Sequence, residues 1–345
     1  MLWFDLDNSP HVPLFRPVLS ELDRRGVAYR ITARDFAQTR ELLALWKVPH
    51  ELIGVHGGRS KLGKILNLVG RSSALKRAMK GTTFRAAVSH GSRTQVVACW
   101  RMGIPSVVML DYEYTEARIF NLLAHRILMP ALIPDQRLAQ AGFDLRKVVR
   151  YEGYKEEIYL ESFRPEGGFR ASLGIDETTV LITIRPPSTS GNYHDRKSEA
   201  LFHTCLRYFA SIPDTLTLVV NRTLAESRLI PEELRESGRV AVLKSPVDGL
   251  QLICHSDLVV SVGGTMNRES ALLGTPTYSI FTGRRPYLDE HLQSQGRLQF
   301  IDTPSQVFSI RVVKRLIPAS FTPQTTAMPA KMTDLLLDAI SGLQA

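Results

Sequence analysis

The chain has 345 residues, 44% of them apolar, and its Lys and Arg exceed its Asp and Glu by a formal +9, with an isoelectric point near 9.6. That length is too great for one comfortable core and suits two domains of ordinary size, while the positive balance favours anionic partners such as phosphorylated metabolites, nucleic acid or an acidic membrane surface. Three isolated cysteines, Cys99, Cys205 and Cys254, argue against a disulfide framework or a structural zinc site, and no run approaches the ~20 apolar residues of a membrane span.

The N-terminal segment meets a carboxylate at Asp5 before any apolar stretch reaches signal length, which predicts a cytoplasmic protein whose fold starts at residue 2. From there β-rich runs alternate with amphipathic stretches. Strands are predicted at Leu2–Leu6, Ala28–Thr32, Glu51–Val55, Ala86–Val88, Ser106–Leu110 and Ile127–Met129, with helices over 12–25, 36–46, 94–102 and 116–125 and a basic stretch from Lys61 to Lys80. This rhythm implies a parallel sheet wrapped on both faces. Glycines and prolines at 152–168 interrupt it. A second alternation follows, with strands at Val180–Ile184, Leu216–Val220, Val240–Leu243, Leu258–Ser261 and Thr277–Ile280 and helices over 196–210 and 266–273. Two doubly wound α/β domains are therefore expected, 1–155 and 156–345, the second ending in a closing helix near Lys331–Leu343 that could pack back across the junction.

Ligands of open parallel sheets bind where strands deliver their carboxyl ends, so the loops after the strands are the places to search. The turn Asp5-Leu-Asp7-Asn8-Ser9-Pro10-His11 puts His11 at a helix start, as a general base or as a plain surface residue beside the capping groups Asp7, Asn8 and Ser9. His90 and Ser92 occupy the next such loop. Asp111 and Glu113 follow another strand, either as functional carboxylates or as partners of arginines such as Arg93 and Arg118. The segment from Gly58 to Lys64 has the glycine and lysine spacing of a phosphate loop, but Ile65 stands where a magnesium-binding hydroxyl is required. Lys61, Lys64, Arg71, Lys76, Arg77 and Lys80 read instead as one basic helical face, solvated or directed at phosphates or lipid headgroups. In the second half Arg185 and Arg222 end strands and suit phosphate contacts, and His194 lies in the loop that leads to the next helix. Gly263-Gly264-Thr265-Met266-Asn267-Arg268-Glu269 runs from a buried strand into a helix, where glycine lets the backbone approach a phosphate and the first amides point at it. Glu269, one turn in, is placed to accept from ribose hydroxyls.

With Leu6-Asp-Asn-Ser-Pro-His11, Thr32-Ala-Arg-Asp-Phe36, Ser89-His-Gly-Ser92, Asp111-Tyr-Glu113, Arg185-Pro-Pro187 and Gly263-Gly-Thr-Met-Asn-Arg-Glu269 in place, the chain resembles the DUF354 family over nearly its whole length. That family is grouped with GT-B glycosyltransferases and UDP-N-acetylglucosamine 2-epimerases. The resemblance implies a GT-B-like fold whose two Rossmann-like domains face a cleft, with the nucleotide held mainly by the second domain: diphosphate at Gly263, Gly264 and Thr265, with Asn267, Arg185 and Arg222 nearby, and ribose at Glu269. It implies an acceptor on the first domain, where Asn8, Ser9 and His11 occupy the place of a loop that carries glycines in many such transferases. Set beside the epimerases, Glu113 falls near a carboxylate of theirs, Gly91 or Ser92 near an aspartate and Arg185 near a histidine.

Three functions follow as expectations. The first is transfer of a glycosyl group from a nucleotide-sugar, with UDP as the expected carrier, to a saccharide or lipid-linked acceptor in cell-surface polysaccharide or glycoconjugate synthesis. His11, Asp111 or Glu113 would act as base, with no metal and no cofactor beyond the substrate. The second is epimerisation of a UDP-sugar, in which Glu113, Glu116 and His194 replace the missing acid and base groups. The third is non-catalytic nucleotide-sugar binding. Nucleic acid is not expected as a partner, because the basic residues have little aromatic interleaving; contact with the inner face of the membrane is.

Overall fold

The computed structural model describes residues 1–36, 38–55, 61–187, 196–221, 224–243, 247–318 and 325–343. They form two compact units, Met1–Glu161 with Gln324–Ala345, and Ser162–Pro323.

The first unit is built on seven strands: β1 (Leu2–Leu6), β2 (Tyr29–Asp35), β3 (Glu51–Val55), β4 (Ala86–His90), β5 (Ser106–Met109), β6 (Arg126–Pro130) and β7 (Val148–Tyr151). They pair in parallel in the order β3-β2-β1-β4-β5-β6-β7. β1 and β5 are buried along their whole length, as strands covered by helices on both faces must be. At the edge, β3 alternates between half-buried and exposed positions. Trp3, Leu75, Met79, Phe84 and Cys99 form one core cluster, and the indole N–H of Trp3 donates to Thr32 Oγ1 at 2.9 Å. β7 was not expected: its Val-Val-Arg-Tyr sequence is too short to show a period.

The last helix, Met328–Ser341, belongs to this unit rather than to the second, where it was expected. It packs on the helix His11–Arg24 and on β5 and β7 through buried Met328, Met332, Leu336 and Ile340. Its register is set by Glu161, whose carboxylate accepts from the amides of Ala327 and Met328 at 2.8 and 2.9 Å.

The second unit has six parallel strands: β8 (Val180–Ile184), β9 (Thr215–Val219), β10 (Val240–Val242), β11 (Leu258–Ser261), β12 (Thr277–Ser279) and β13 (Gln299–Phe300), in the order β10-β9-β8-β11-β12-β13. Its core packs the helix Arg196–Ala210 on this sheet through Leu201, Phe202, Cys205, Leu206 and Phe209. The three cysteines are buried as free thiols. Among the described residues no helix is long and apolar enough to cross a membrane.

Candidate functional site

Chain order reverses across each sheet at one place, between β1 and β4 in the first unit and between β8 and β11 in the second. Loops leaving such neighbours run to opposite sides and leave a crevice at the carboxyl edge. In the first unit the two loops carry His11 and His90, whose rings lie 5.0 Å apart between centroids.

The turn after β1 is held by its own backbone and side chains. Asn8 Oδ1 accepts from the amide of Ser9 at 2.9 Å, the carbonyl of Asn8 accepts from the amide of His11 at 3.0 Å, and Ser9 Oγ accepts from the amide of Gln38 at 3.0 Å. The helix starts at His11 after Pro10, with no side-chain cap. His11 is therefore no surface residue: it is buried, with Nδ1 3.4 Å from Asp7 Oδ1. Asp7 also faces Arg34 at 3.6 Å. His90, at the end of β4, lies with Nε2 3.2 Å from Asp111 Oδ1. The other oxygen of Asp111 accepts from Lys155 Nζ at 2.6 Å, and Lys155 also donates to Glu156 at 2.6 Å. Asp111 is thus paired with a lysine and a histidine rather than with Arg93 or Arg118, and Glu113 beside it is fully buried.

A further carboxylate, Asp5, is the centre of a buried network. Arg71 donates to both of its oxygens at 2.8 Å, and Ser92 and Thr32 donate at 2.5 and 2.7 Å. Arg71 also reaches Thr94 and the carbonyl of Ile53. The expectation that Arg71 belongs to the exposed basic face is corrected here, because its guanidinium points into the fold. Ser92 Oγ also accepts from the amide of Gln95 and so caps the helix Arg93–Met102.

Charge separates two carboxylates only two positions apart in β1 and its turn. Burial pushes Asp5 up, but the Arg71 charge and the hydrogen bonds from Arg71, Ser92 and Thr32 outweigh it, and its net shift is downward. For Asp7, burial and then the Asp5 charge push the carboxyl upward against the weaker pull of Arg34, Arg71 and His90. His11 is held well below 6.5, first by burial, then by His90 and Lys155. A neutral, proton-accepting imidazole follows.

In the second unit β11 ends at Ser261 and the helix Thr265–Leu272 begins after two glycines. Gly263 has φ 88° and Gly264 φ 78° with ψ −152°, a backbone conformation open essentially to glycine alone. A Cβ on Gly264 would meet nothing within 4 Å, so it is the backbone and not space that demands glycine there. Thr265 opens the helix, and Thr265 and Glu269 are half-buried. Asn267 differs from its expected place among the ligand contacts. It is fully buried, takes the Ser261 hydroxyl on its carbonyl and donates to Asp289 at 3.1 Å, while Arg268 approaches the other oxygen of Asp289 at 3.3 Å. These bonds fix the glycine turn from behind. Arg185 follows β8 across the switch point, half-buried, its amide donating to the carbonyl of Val260 at 2.9 Å. Arg222 and His194 lie outside the described residues.

The residues that sequence reading missed are Lys155, Glu156 and Arg34, and for Asp5 and Arg71, both singled out in the sequence, it missed that they pair. Lys155 follows β7, whose four residues carry no period that would mark a carboxyl-end loop there. Arg34 is the last residue but one of β2, within a segment that carries the family resemblance but no assigned role.

The whole chain is similar to proteins of known fold. It is 25% identical over 309 residues to a Methanocaldococcus jannaschii protein named uncharacterized protein MJ0665, covering 86% of each chain. Its structure superposes on a UDP-GlcNAc 2-epimerase from the same organism, solved with UDP-GlcNAc and UDP, with a TM-score of 0.73 at 11% identity, covering 98% of this chain and 99% of that one. The glycosyltransferase of kitacinnamycin superposes with a TM-score of 0.60 at 14% identity, covering 99% and 95%. The fold is thus that of GT-B-like epimerases and glycosyltransferases, two parallel sheets with alternating helices. The family described as protein of unknown function DUF354 matches residues 1–337, and the chain belongs to it.

Proposed function

We propose that this protein is an enzyme acting on a nucleotide-sugar, most directly a glycosyltransferase. The observation that carries this reading is the contrast at the two switch points: buried acid and base groups around His11 in one unit, and a glycine turn at a helix start in the other. In this reading the amides at Gly264 and Thr265, with Arg185 and Arg222, hold the diphosphate, and Glu269 accepts from ribose hydroxyls. UDP is the expected carrier, since the M. jannaschii epimerase of the same fold was solved with UDP and UDP-GlcNAc. An acceptor hydroxyl attacks the anomeric carbon. The bond from that carbon to the diphosphate oxygen breaks, its electron pair leaving with the diphosphate, and the hydroxyl proton passes to His11. His11 Nδ1 lies 3.4 Å from Asp7 Oδ1, and in this reading Nε2 takes the proton. Substrate charge would also raise the depressed affinity of His11 for a proton. Asp111 and Glu113 then bind or orient the acceptor, a saccharide or a lipid-linked sugar of cell-surface polysaccharide or glycoconjugate synthesis.

A second reading is epimerisation, favoured by the better superposition on the epimerase, 0.73 against 0.60. There a base removes the proton at C2 as the diphosphate leaves C1, and both return with the configuration at C2 reversed, without an acceptor. Incubation with UDP-sugars in heavy water separates the readings. Transfer releases UDP only when an acceptor is present, whereas epimerisation exchanges the C2 hydrogen with solvent in the absence of one. Binding without either outcome across a wide acceptor panel leaves a non-catalytic binder, and failure of nucleoside diphosphates to raise the melting temperature removes the proposal.

A further inference from the structure

The helix Lys61–Ala78 turns one face inward, and the opposite face is not polar. Arg71, Ser72 and Leu75 are buried, with Met79 in the following turn. On the other side Ile65 is 59%, Leu66 64% and Val69 57% exposed. Their spacing places them together on one helical face. Lys76 and Arg77, also exposed, each stand about three helical turns beyond one of them, and exposed Lys80 follows just after the helix end beside them, so the apolar and cationic groups share a single outward stripe. The neighbouring helix Arg93–Met102 adds Trp100, 63% exposed, just before Arg101. Arg101 is tied to the stripe, donating to Ser73 Oγ at 2.8 Å and accepting on its carbonyl from Lys76 Nζ at 3.4 Å. Between Glu51 and Asp111 the chain contains no acidic residue at all.

We infer that this stripe docks on anionic lipid at a bilayer surface, with Ile65, Leu66, Val69 and Trp100 entering the headgroup boundary while Lys76, Arg77, Lys80 and Arg101 meet lipid phosphates. Solvated basic helices carry polar groups on their outward face, and three large apolar side chains in one row do not fit that role. Charge decides the occupant. A second copy would bring two cationic faces together with no carboxylate in either stripe to pair them, whereas an anionic leaflet satisfies both halves of the stripe. None of these residues belongs to either switch point, so the inference is independent of the enzymatic reading and its test needs no turnover.

The test is co-sedimentation of the full chain with vesicles of phosphatidylcholine alone or mixed with phosphatidylglycerol. The mixed vesicles are expected to bind at least ~tenfold more tightly at low ionic strength and to lose affinity as salt rises. Two triple variants, K76E/R77E/K80E and I65S/L66S/V69S, should each lose at least ~tenfold in affinity for mixed vesicles with an unchanged thermal melt. Charge reversal alters only exposed side chains and keeps the test decisive should the serine variant fail to fold. Absence of wild-type binding to mixed vesicles, or binding that charge reversal leaves intact, overturns the inference. A wild type that ignores vesicles but forms a dimer, split by the serine variant, assigns the face to a second copy and likewise overturns it.

Discussion

The two switch points share a topology and differ in what fills them. Between β1 and β4 the chain delivers ionisable side chains: His11, His90 and, nearby, Asp7, Asp111 and Lys155, mostly buried, with close contacts of 3.4 Å from His11 to Asp7, 3.2 Å from His90 to Asp111 and 2.6 Å from Lys155 to Asp111. Between β8 and β11 it delivers backbone: two glycines with positive φ and a helix start, braced from behind by Asn267 and Asp289. Proton transfer needs groups whose charge can change, whereas a diphosphate needs fixed donors that reorganise little. Under the proposed function, one sheet plan would serve two tasks by exchanging side-chain chemistry for backbone geometry.

The largest effect expected from breaking this contrast is at His11. Removing a general base costs ~10²–10⁴-fold in rate, so His11→Ala should lose turnover on that scale while nucleotide affinity stays nearly unchanged. Steady-state kinetics beside a binding titration check this, and full activity in the variant moves the base to Asp111 or Glu113. Next comes the foundation of the cluster. Asp5→Asn leaves the Arg71 guanidinium buried without its counter-charge, for which a loss of about 3–5 kcal/mol is expected in denaturant unfolding. The double replacement Asp5→Asn with Arg71→Met should recover part of it. If the single change is neutral, the pair does not anchor the site.

Gly264→Val sharpens the other side. A valine at φ 78°, ψ −152° costs about 1–3 kcal/mol where glycine costs none, so either the turn moves or the helix start does. Nucleoside diphosphate affinity should fall ~tenfold or more, with His11 chemistry untouched, and calorimetric titration reads it directly. Smallest is a pH effect. An unfolded imidazole takes up a proton near 6.5, while buried His11 stays neutral to lower pH, so the unfolded state binds more protons below about 6.5. Stability from this group is full above 6.5 and is lost on acidification towards the lower folded value. Asp7 acts in the opposite sense, its raised value favouring the folded state at acid pH and costing stability as pH rises past its ordinary 3.8. Unfolding free energies of wild type and His11→Gln between pH 5 and 7 should diverge on acidification; parallel curves remove the assignment.

The strand-turn-helix loops were legible because each combines a buried strand, a breaker and a helix start within a dozen or so residues, as at Ser261 to Glu269 and Asp5 to His11. The partners that decide what those loops do were not. Arg71 reaches a carboxylate 66 residues away, and nothing local distinguishes it from Lys76 on the same helix. Asn267 faces inward because Asp289 stands on another helix, 22 residues on. Lys155 depended on recognising β7, a strand of four residues. Periodicity reports local burial, and these three are settled by distant contacts.

Arg71 has one more consequence. It rises from the same helix that presents Ile65, Leu66 and Val69 to the outside, and it ends on Asp5, in the strand that leads to His11. That helix cannot lift from the sheet without pulling the guanidinium off Asp5 and stranding a carboxylate in the core. Its backbone amides and those of the turn after β1 should accordingly open together in hydrogen exchange, with one common free energy. An event at the outer surface of the first unit is thereby felt at the strand that leads to His11.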